Sequence, residues 1–541
     1  MPLRLPIILL ALSVSVIWAF WWTIGQPVPM PASPLAEGEK IPCVSYAPYR
    51  RGQSPFEETI QIPASQIDDD FAHLATVTDC VRTYAVDQGL ENVPTLARKH
   101  GLEVIMGLWL GREADKNARQ IETAVRLANE NSDVIRMLVV GNEALLRGEI
   151  SETDLGAILK MVKARVPVPI TYADVWEFWI RHKALAEFVD VVTVHILPYW
   201  EDEPVPAEEA GAHIANIRRH VGEKFPGKPI LIGETGWPSE GRMRWGARAT
   251  PADQARVLHD IVALQKTHGY DINLIEAFDQ PWKRLLEGTV GGYWGLLDAD
   301  TREPKFHWGK PVSNHPDWVR WAVLGTGLAM LIFAAAVTAA RGRSVRASHW
   351  TAIAVLAAIS GSAVGFAVHM HAIGARNLLE LGQVSGYVAL AAAGPVVAAL
   401  AIAQGIGPLP FFRLFVREGA VSGPSKWLAV VAAATAVLAT FFALGLVFDP
   451  RYRELPTSTL IGPVVGLVLA SAFASHREAE RSSERIFAVA LASSAIAITI
   501  QERISNWEAL GFSAVLLILA GTLWGALGGQ KRAAEAPAPM R

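Results

Sequence analysis

Two glutamates stand out as groups able to do chemistry. One ends the run Val139-Val140-Gly141-Asn142-Glu143, and the other sits in Ile232-Gly233-Glu234-Thr235-Gly236-Trp237. Each follows an apolar stretch and a glycine, the pattern of a residue at the exit of a buried strand. Two carboxylates across one cleft can divide the work of bond cleavage. One holds a proton near neutral pH, while the other stays ionised and attacks carbon. Breaking a glycosidic bond needs such a pair. The plainer reading, in which strand-end carboxylates cap helices or pair with arginine, is weaker for two matched positions than for one. Trp109, Trp176, Trp179, Trp200, Trp237, Trp245, Trp282, Trp294 and Trp308 lie in the same region. Aromatic faces stack on the C–H faces of sugar rings, although any single tryptophan more often packs in a core.

The elements that must position the pair follow from apolar periodicity. Strand-like runs fall at 43–46, 80–84, 103–109, 137–141, 168–172, 191–195, 230–234 and 273–278, with amphipathic stretches at 64–77, 114–131, 152–165, 207–223 and 252–269 between them. Continuous Val/Ile/Leu runs are the mark of parallel strands buried on both faces. Eight such repeats in about 280 residues predict an α/β fold, a (β/α)₈ TIM barrel. A doubly wound open sheet is the structural alternative, and it would want a glycine-rich phosphate loop that the sequence lacks.

The rest of the chain reads as membrane. Hydrophobic residues make up 51 % and charged residues 19 %. Residues 5–24 form a spanning run with Trp18, Trp21 and Trp22 near its far end, and a cleaved signal peptide is the competing reading. Further spans are expected near 318–340, 350–370, 384–404, 427–447, 459–475, 486–501 and 509–528. With residue 1 inside, cytoplasmic loops carry Arg341, Arg343, Arg346, Arg413, Arg417, Lys426, Arg477, Arg481, Arg485, Lys531, Arg532 and Arg541. The opposite loops carry Arg376, Arg451, Arg453 and Arg503, so twelve basic residues stand against four. The expected organisation is an N-terminal transmembrane anchor at 1–24, a linker at 25–40, a catalytic barrel at 41–317, a seven-span domain at 318–530 and a cytoplasmic tail at 531–541. The barrel is thus inserted between an N-terminal transmembrane helix and a C-terminal multi-span α-helical membrane domain. It lies outside the cytoplasm.

Charge excludes one class of partner. Residues 1–317 carry 32 Lys/Arg against 42 Asp/Glu, a poor surface for nucleic acid. The two cysteines, Cys43 and Cys80, exclude a disulfide scaffold and a cysteine zinc cluster. They open two neighbouring strands, where a disulfide and two ordinary buried thiols both fit. No metal-ligand spacing appears, and no cofactor is expected.

The motifs VVGNE (139–143) and GETGWPS (233–239), with RTY (82–84), HILPYW (195–200), EAFDQPWK (276–283) and GYWGLLDADTREPKF (292–306), resemble glycoside hydrolase family 17 over residues 41–310. The resemblance implies a retaining β-1,3-glucanase or β-glucosyltransferase, with Glu143 as acid/base, Glu234 as nucleophile and Asn142 on the 2-hydroxyl of the sugar. Substrate contacts are expected from Arg82, Tyr46, His195, Tyr199, Trp237, Trp245, Trp282 and Lys283. Leu197 and Gln280 depart from the plant members, which have Tyr and Glu there. With its membrane segments, the chain is similar to bacterial inner-membrane family-17 proteins, among them the rhizobial group of cyclic β-(1→3),(1→6)-glucan synthesis. That likeness implies transfer of glucosyl units between β-1,3-glucan or laminari-oligosaccharide donors and acceptors, in the periplasm, beside the lipid bilayer and a membrane glucan synthase. The rivals are a membrane-anchored β-1,3-glucan hydrolase and a non-catalytic glucan-binding or export protein.

Overall fold

The computed structural model describes residues 4–414, 423–474 and 482–525. The chain divides into two compact units, one of residues Pro27–Asn314 and one of Met1–Gln26 with His315–Arg541.

The first unit is a closed barrel of eight parallel strands in sequential order. They are β1 (Val44–Ser45), β2 (Cys80–Arg82), β3 (Glu103–Leu108), β4 (Ile135–Asn142), β5 (Ile170–Val175), β6 (Val192–His195), β7 (Ile230–Thr235) and β8 (Asp271–Leu274). Closure comes from β1, where Val44 is in register with Val81 on one side and Leu274 on the other. The open-sheet alternative is thereby excluded. Apolar residues of these strands and of the surrounding helices form one large core, and Cys43, Cys80, Ile105, Met137, Val139, Ala173 and Leu231 form a second, smaller cluster. The helices Ala64–Leu74, Ala114–Glu130, Glu152–Lys163, Ala207–Lys224 and Pro251–His268 match the five amphipathic stretches to within a few residues. Two of them start on side-chain caps, with Ser151 accepting from the Asp154 amide and Thr250 from the Asp253 amide. Short helices at Val93–His100, Trp176–Arg181 and Arg284–Gly291 were not evident from periodicity.

Two local features bear on the sequence reading. Cys43 and Cys80 are joined by a disulfide, with Cα atoms 4.4 Å apart. The proline-rich stretch expected to be a linker is laid on the barrel from its start. Val28 pairs with Val312 in an antiparallel bridge, and Lys266 pairs with Glu39.

The second unit is helical. Its helices are Arg4–Ile24, Trp318–Ala339, Ala347–Gly374, Leu378–Gln404, Pro424–Phe448, Thr457–Phe473, Ser482–Glu502 and Trp507–Trp524. Among the described residues seven apolar helices have the length and composition to cross a membrane, and Thr457–Phe473 is shorter. All eight expected spans therefore correspond to helices. The basic positions Arg417, Arg477, Arg481, Lys531, Arg532 and Arg541, and the tail 531–541, lie outside the described residues.

Candidate active site

The strand ends bring one hydrogen-bonded group together inside the barrel mouth. Arg82, at the end of β2, is fully buried. Its Nη1 donates to the Gly233 carbonyl at 2.8 Å and to Glu234 Oε1 at 3.0 Å. Its Nη2 donates to Asn142 Oδ1 at 2.6 Å and lies 3.5 Å from His195 Nε2. His195 Nδ1 is 2.7 Å from Glu143 Oε1. One guanidinium and one imidazole thus connect the two carboxylates. The side chain of Glu143 is 24 % exposed and that of Glu234 only 8 %.

Backbone geometry aims both glutamates. Glu143 sits at φ 52°, just past the end of β4 and two residues after Gly141 at φ 88°. A left-handed glutamate is uncommon and turns the chain sharply out of the strand. The turn is held by the Glu143 amide on the Ala173 carbonyl and by Arg147, which grips the Asn142 and Leu110 carbonyls. On β7, Gly233 has no room for a side chain. A Cβ there would meet Thr193 Cγ2 at 2.4 Å and the His195 ring at 3.4 Å. Glycine at 233 therefore lets β6 and β7 approach, and His195 falls in register with Glu234.

Electrostatics separates the two carboxylates. Burial raises the pKa of Glu234, but neighbouring positive charge, that of Arg82 and Lys283 included, and a hydrogen bond from Tyr84 outweigh it, leaving Glu234 below its ordinary value. Tyr84 OH lies 2.9 Å from Glu234 Oε1 and from Ser45 Oγ. Burial and the Glu234 charge push its phenol well above its ordinary range, so it keeps its proton and donates. Glu276 is gripped by Lys283 through both oxygens, at 2.8 and 2.9 Å. Burial pushes the Glu276 carboxyl up to about 7 even so.

Asp174, at the end of β5, is pushed up to about 6 by burial, with the Glu143 charge adding to the effect. Tyr172 OH and the Val175 amide donate to it. Between pH 4 and 6 the folded protein therefore keeps a proton that the unfolded chain has released. The stability contribution of this group falls as pH rises through that window. Asp174→Asn is expected to gain about 2 kcal/mol relative to the parent between pH 4 and pH 7. Paired denaturation curves across that range check this, and a pH-independent difference between the two proteins would refute it.

Of the residues singled out in the sequence, Glu143, Glu234, Asn142, Arg82 and His195 meet in this group, with Lys283 beside it. The others do not join them. Tyr46 is buried with its OH on Asp70, Tyr199 is buried with its OH on the Arg242 carbonyl, and Trp237 is buried with its indole on the Arg248 carbonyl. All three are buried with their polar atoms bonded outside the Arg82 group, a correction to their expected role as exposed substrate contacts. Trp245 is half-buried in a turn and Trp282 half-buried in a short 3₁₀ helix, Pro281–Lys283. Trp282 donates to Gln280 Oε1 and meets Tyr49 and Phe56 edge-on. Tyr84, Glu276, Asp174, Ser45 and Asn273 were missed. Tyr84 lies in the RTY motif and Glu276 in EAFDQPWK, so strand-end position held the signal for both. Glu143, His195 and Glu234 offer donor atoms within 4.8 Å of one another, a spacing that also suits a cation, although His195 Nδ1 is already taken up by Glu143.

A parallel (β/α)₈ barrel with paired carboxylates at the ends of β4 and β7 defines the class of barrel glycosidases. Residues 43–295 match the BtgE/BtgC glycoside hydrolase domain, and the barrel is that of a glycosidase or transglycosylase of the family-17 type. It is 28 % identical over 296 residues to a glucan 1,3-beta-glucosidase of Arthroderma benhamiae, covering 50 % of this chain and 95 % of that one. It is 26 % identical over 265 residues to a probable beta-glucosidase btgE of Aspergillus fumigatus, covering 47 % of this chain and 45 % of that one. A crystal structure of a family-17 beta-1,3-glucanosyltransferase from Rhizomucor miehei is 26 % identical, with a TM-score of 0.43, over 49 % of this chain and 94 % of that one.

Proposed function

We propose that this protein is a membrane-bound retaining β-glucosyltransferase that cleaves β-1,3-glucan and passes the glucosyl or glucanosyl unit to an acceptor glucan, elongating it or branching it through β-1,6 bonds. Glu234 is the nucleophile and Glu143 the acid/base. The observation that carries the reading is the separation of the pair. Donor oxygens of Glu143 and Glu234 lie within 4.8 Å. A retaining pair stands about 5–5.5 Å apart, whereas an inverting pair leaves about 6.5–9.5 Å for a water. The depressed pKa of Glu234 suits a group that must be ionised to attack.

In the first step a Glu234 oxygen bonds to the anomeric carbon, the glycosidic C–O bond breaks, and the Glu143 proton goes to the departing sugar oxygen. In the second step an acceptor hydroxyl attacks that carbon, the bond to Glu234 breaks, and the hydroxyl proton goes to Glu143. Water in place of the acceptor gives hydrolysis instead. Arg82 occupies Asn142 Oδ1, which turns the Asn142 amide hydrogens toward the role of donor to a sugar hydroxyl. Trp245, Trp282 and Lys283 are the remaining candidates for sugar contact.

The apolar helices and the excess of basic residues in alternate loops support an inner-membrane protein of a bacterium with its barrel in the periplasm, near a membrane glucan synthase. The Cys43–Cys80 disulfide fits an oxidising compartment. The full chain, purified in detergent and incubated with laminari-oligosaccharides of one length, is expected to yield products longer than the starting sugar by mass. Linkage analysis then reads β-1,3 against β-1,6. Shorter sugars alone would make the protein a hydrolase. Binding without turnover would make it a glucan-binding protein.

A further inference from the structure

The acid/base carboxyl of the proposed reaction has a single partner among the described residues. Glu234 is held by Arg82 and Tyr84, whereas the Glu143 carboxyl is hydrogen-bonded by His195 alone. Glu143 is also the more exposed of the two and stands on a left-handed turn. A glutamate with that much freedom needs something to choose its rotamer.

The surroundings of His195 decide what its ring can offer. The ring is buried, wedged against the bare Cα of Gly233. Its Nε2 faces Arg82 Nη2 at 3.5 Å, and Glu234 Oε1 lies 3.6 Å away. A guanidinium has donors only and keeps its charge. Both Nη1 hydrogens of Arg82 are used, on Gly233 O and Glu234 Oε1, and one Nη2 hydrogen is on Asn142 Oδ1. The other points toward the ring. The nitrogen facing Arg82 is therefore the acceptor, and the ring proton sits on Nδ1, the side of Glu143.

From this arrangement we infer that His195 is a positioning residue for the acid/base: by donating from Nδ1 to Glu143 Oε1 it fixes the carboxyl rotamer and reserves Oε2 for the proton exchanged with substrate. Arg82 selects the tautomer that makes this possible, so the residue that holds the nucleophile also sets the orientation of the acid. The Nδ1–H bond persists through both steps. Oε1 accepts it as the carbonyl oxygen of the protonated acid and again as a carboxylate oxygen after the proton has left Oε2 for the departing sugar. His195 gives up no proton, and its ring does not touch the substrate. The inference rests on the proposed roles of Glu143 and Glu234.

The test uses the full-length protein in detergent and two donors that differ in their need for acid. Laminari-oligosaccharide has a poor leaving group that must be protonated, whereas a dinitrophenyl β-glucoside leaves unaided. His195→Leu removes the donor. His195→Asn returns an N–H close to the Nδ1 position. His195→Leu is expected to lose about 10²-fold in turnover of the oligosaccharide, the scale of general acid catalysis. Its burst of dinitrophenolate, which reports the first step, should stay within about threefold of wild type, because that step needs no acid. His195→Asn should recover most of the loss on the oligosaccharide. Equal loss on both donors would mean that His195 only packs, and no loss on either would mean that Glu143 needs no anchor. Both outcomes overturn the inference. If His195→Leu does not fold, His195→Gln, which moves the donor along a longer side chain, gives the same comparison. Failure of the underlying reading looks different, because Glu234→Gln would then still process both donors.

Discussion

Glu234→Gln is expected to lower turnover of laminari-oligosaccharides by on the order of 10⁴-fold or more while leaving the protein folded. The amide cannot form the covalent glucosyl intermediate, so both transfer and hydrolysis should go together. The fold should survive because a glutamine oxygen still accepts from Arg82 and Tyr84, the partners of Glu234 Oε1. Glu143→Gln removes the proton donor instead. It is expected to cost about 10²–10⁴-fold on the oligosaccharide and little in the first step with a dinitrophenyl donor. The two variants therefore separate the roles. In that second variant the intermediate should accumulate, because the base that activates the acceptor is missing. Mass spectrometry of a proteolytic digest should then find a glucosyl unit on the peptide that holds Glu234. Wild-type rates in Glu234→Gln, or the sugar on another peptide, would remove Glu234 from the role of nucleophile.

How much of this could be read from the sequence depends on what each feature owes to local pattern. Strands were legible because parallel strands buried on both faces are written as apolar runs, such as the Ile230-Leu231-Ile232 that opens β7. The glutamates were legible because barrel chemistry gathers at strand exits. The side of the wall that an aromatic residue faces was not legible. Trp237 and Trp282 both lie beyond strand ends, yet one is buried and the other half-exposed, and composition cannot tell them apart. The joining of the two glutamates was hidden for a different reason. Residue 82 is 60 residues from Asn142 and 152 from Glu234, and only the closed register brings them to one guanidinium. His195 carries the same lesson, because its meeting with Glu143 spans 52 residues. Short helices such as Trp176–Arg181 escaped because six residues are too few to show a period.

Arg82 is the residue whose loss should be felt in both stability and chemistry. Its guanidinium has no exposed surface and satisfies Gly233 O, Glu234 Oε1 and Asn142 Oδ1 at once. Arg82→Met would leave a buried carboxylate and two buried carbonyl oxygens without their donor. Breaking a buried ion pair from one side costs about 3–5 kcal/mol, which should appear as a drop of several degrees in the melting temperature of the full-length protein. The chemistry should shift in a defined direction. Burial already works to raise the Glu234 pKa, and the Arg82 charge is one of the opposing influences. Without it the Glu234 pKa rises, and the ionised nucleophile is lost at a higher pH than before. The acid limb of kcat/KM should therefore move up in pH, with activity near neutrality reduced and activity at acid pH reduced further. Arg82→Lys keeps a charge but presents a compact ammonium that cannot span three acceptors from two branches of a plane. It should restore part of the acid limb and little of the stability. An unchanged melting temperature together with an unmoved acid limb in Arg82→Met would show that the guanidinium neither supports the barrel mouth nor holds Glu234 in its charged form.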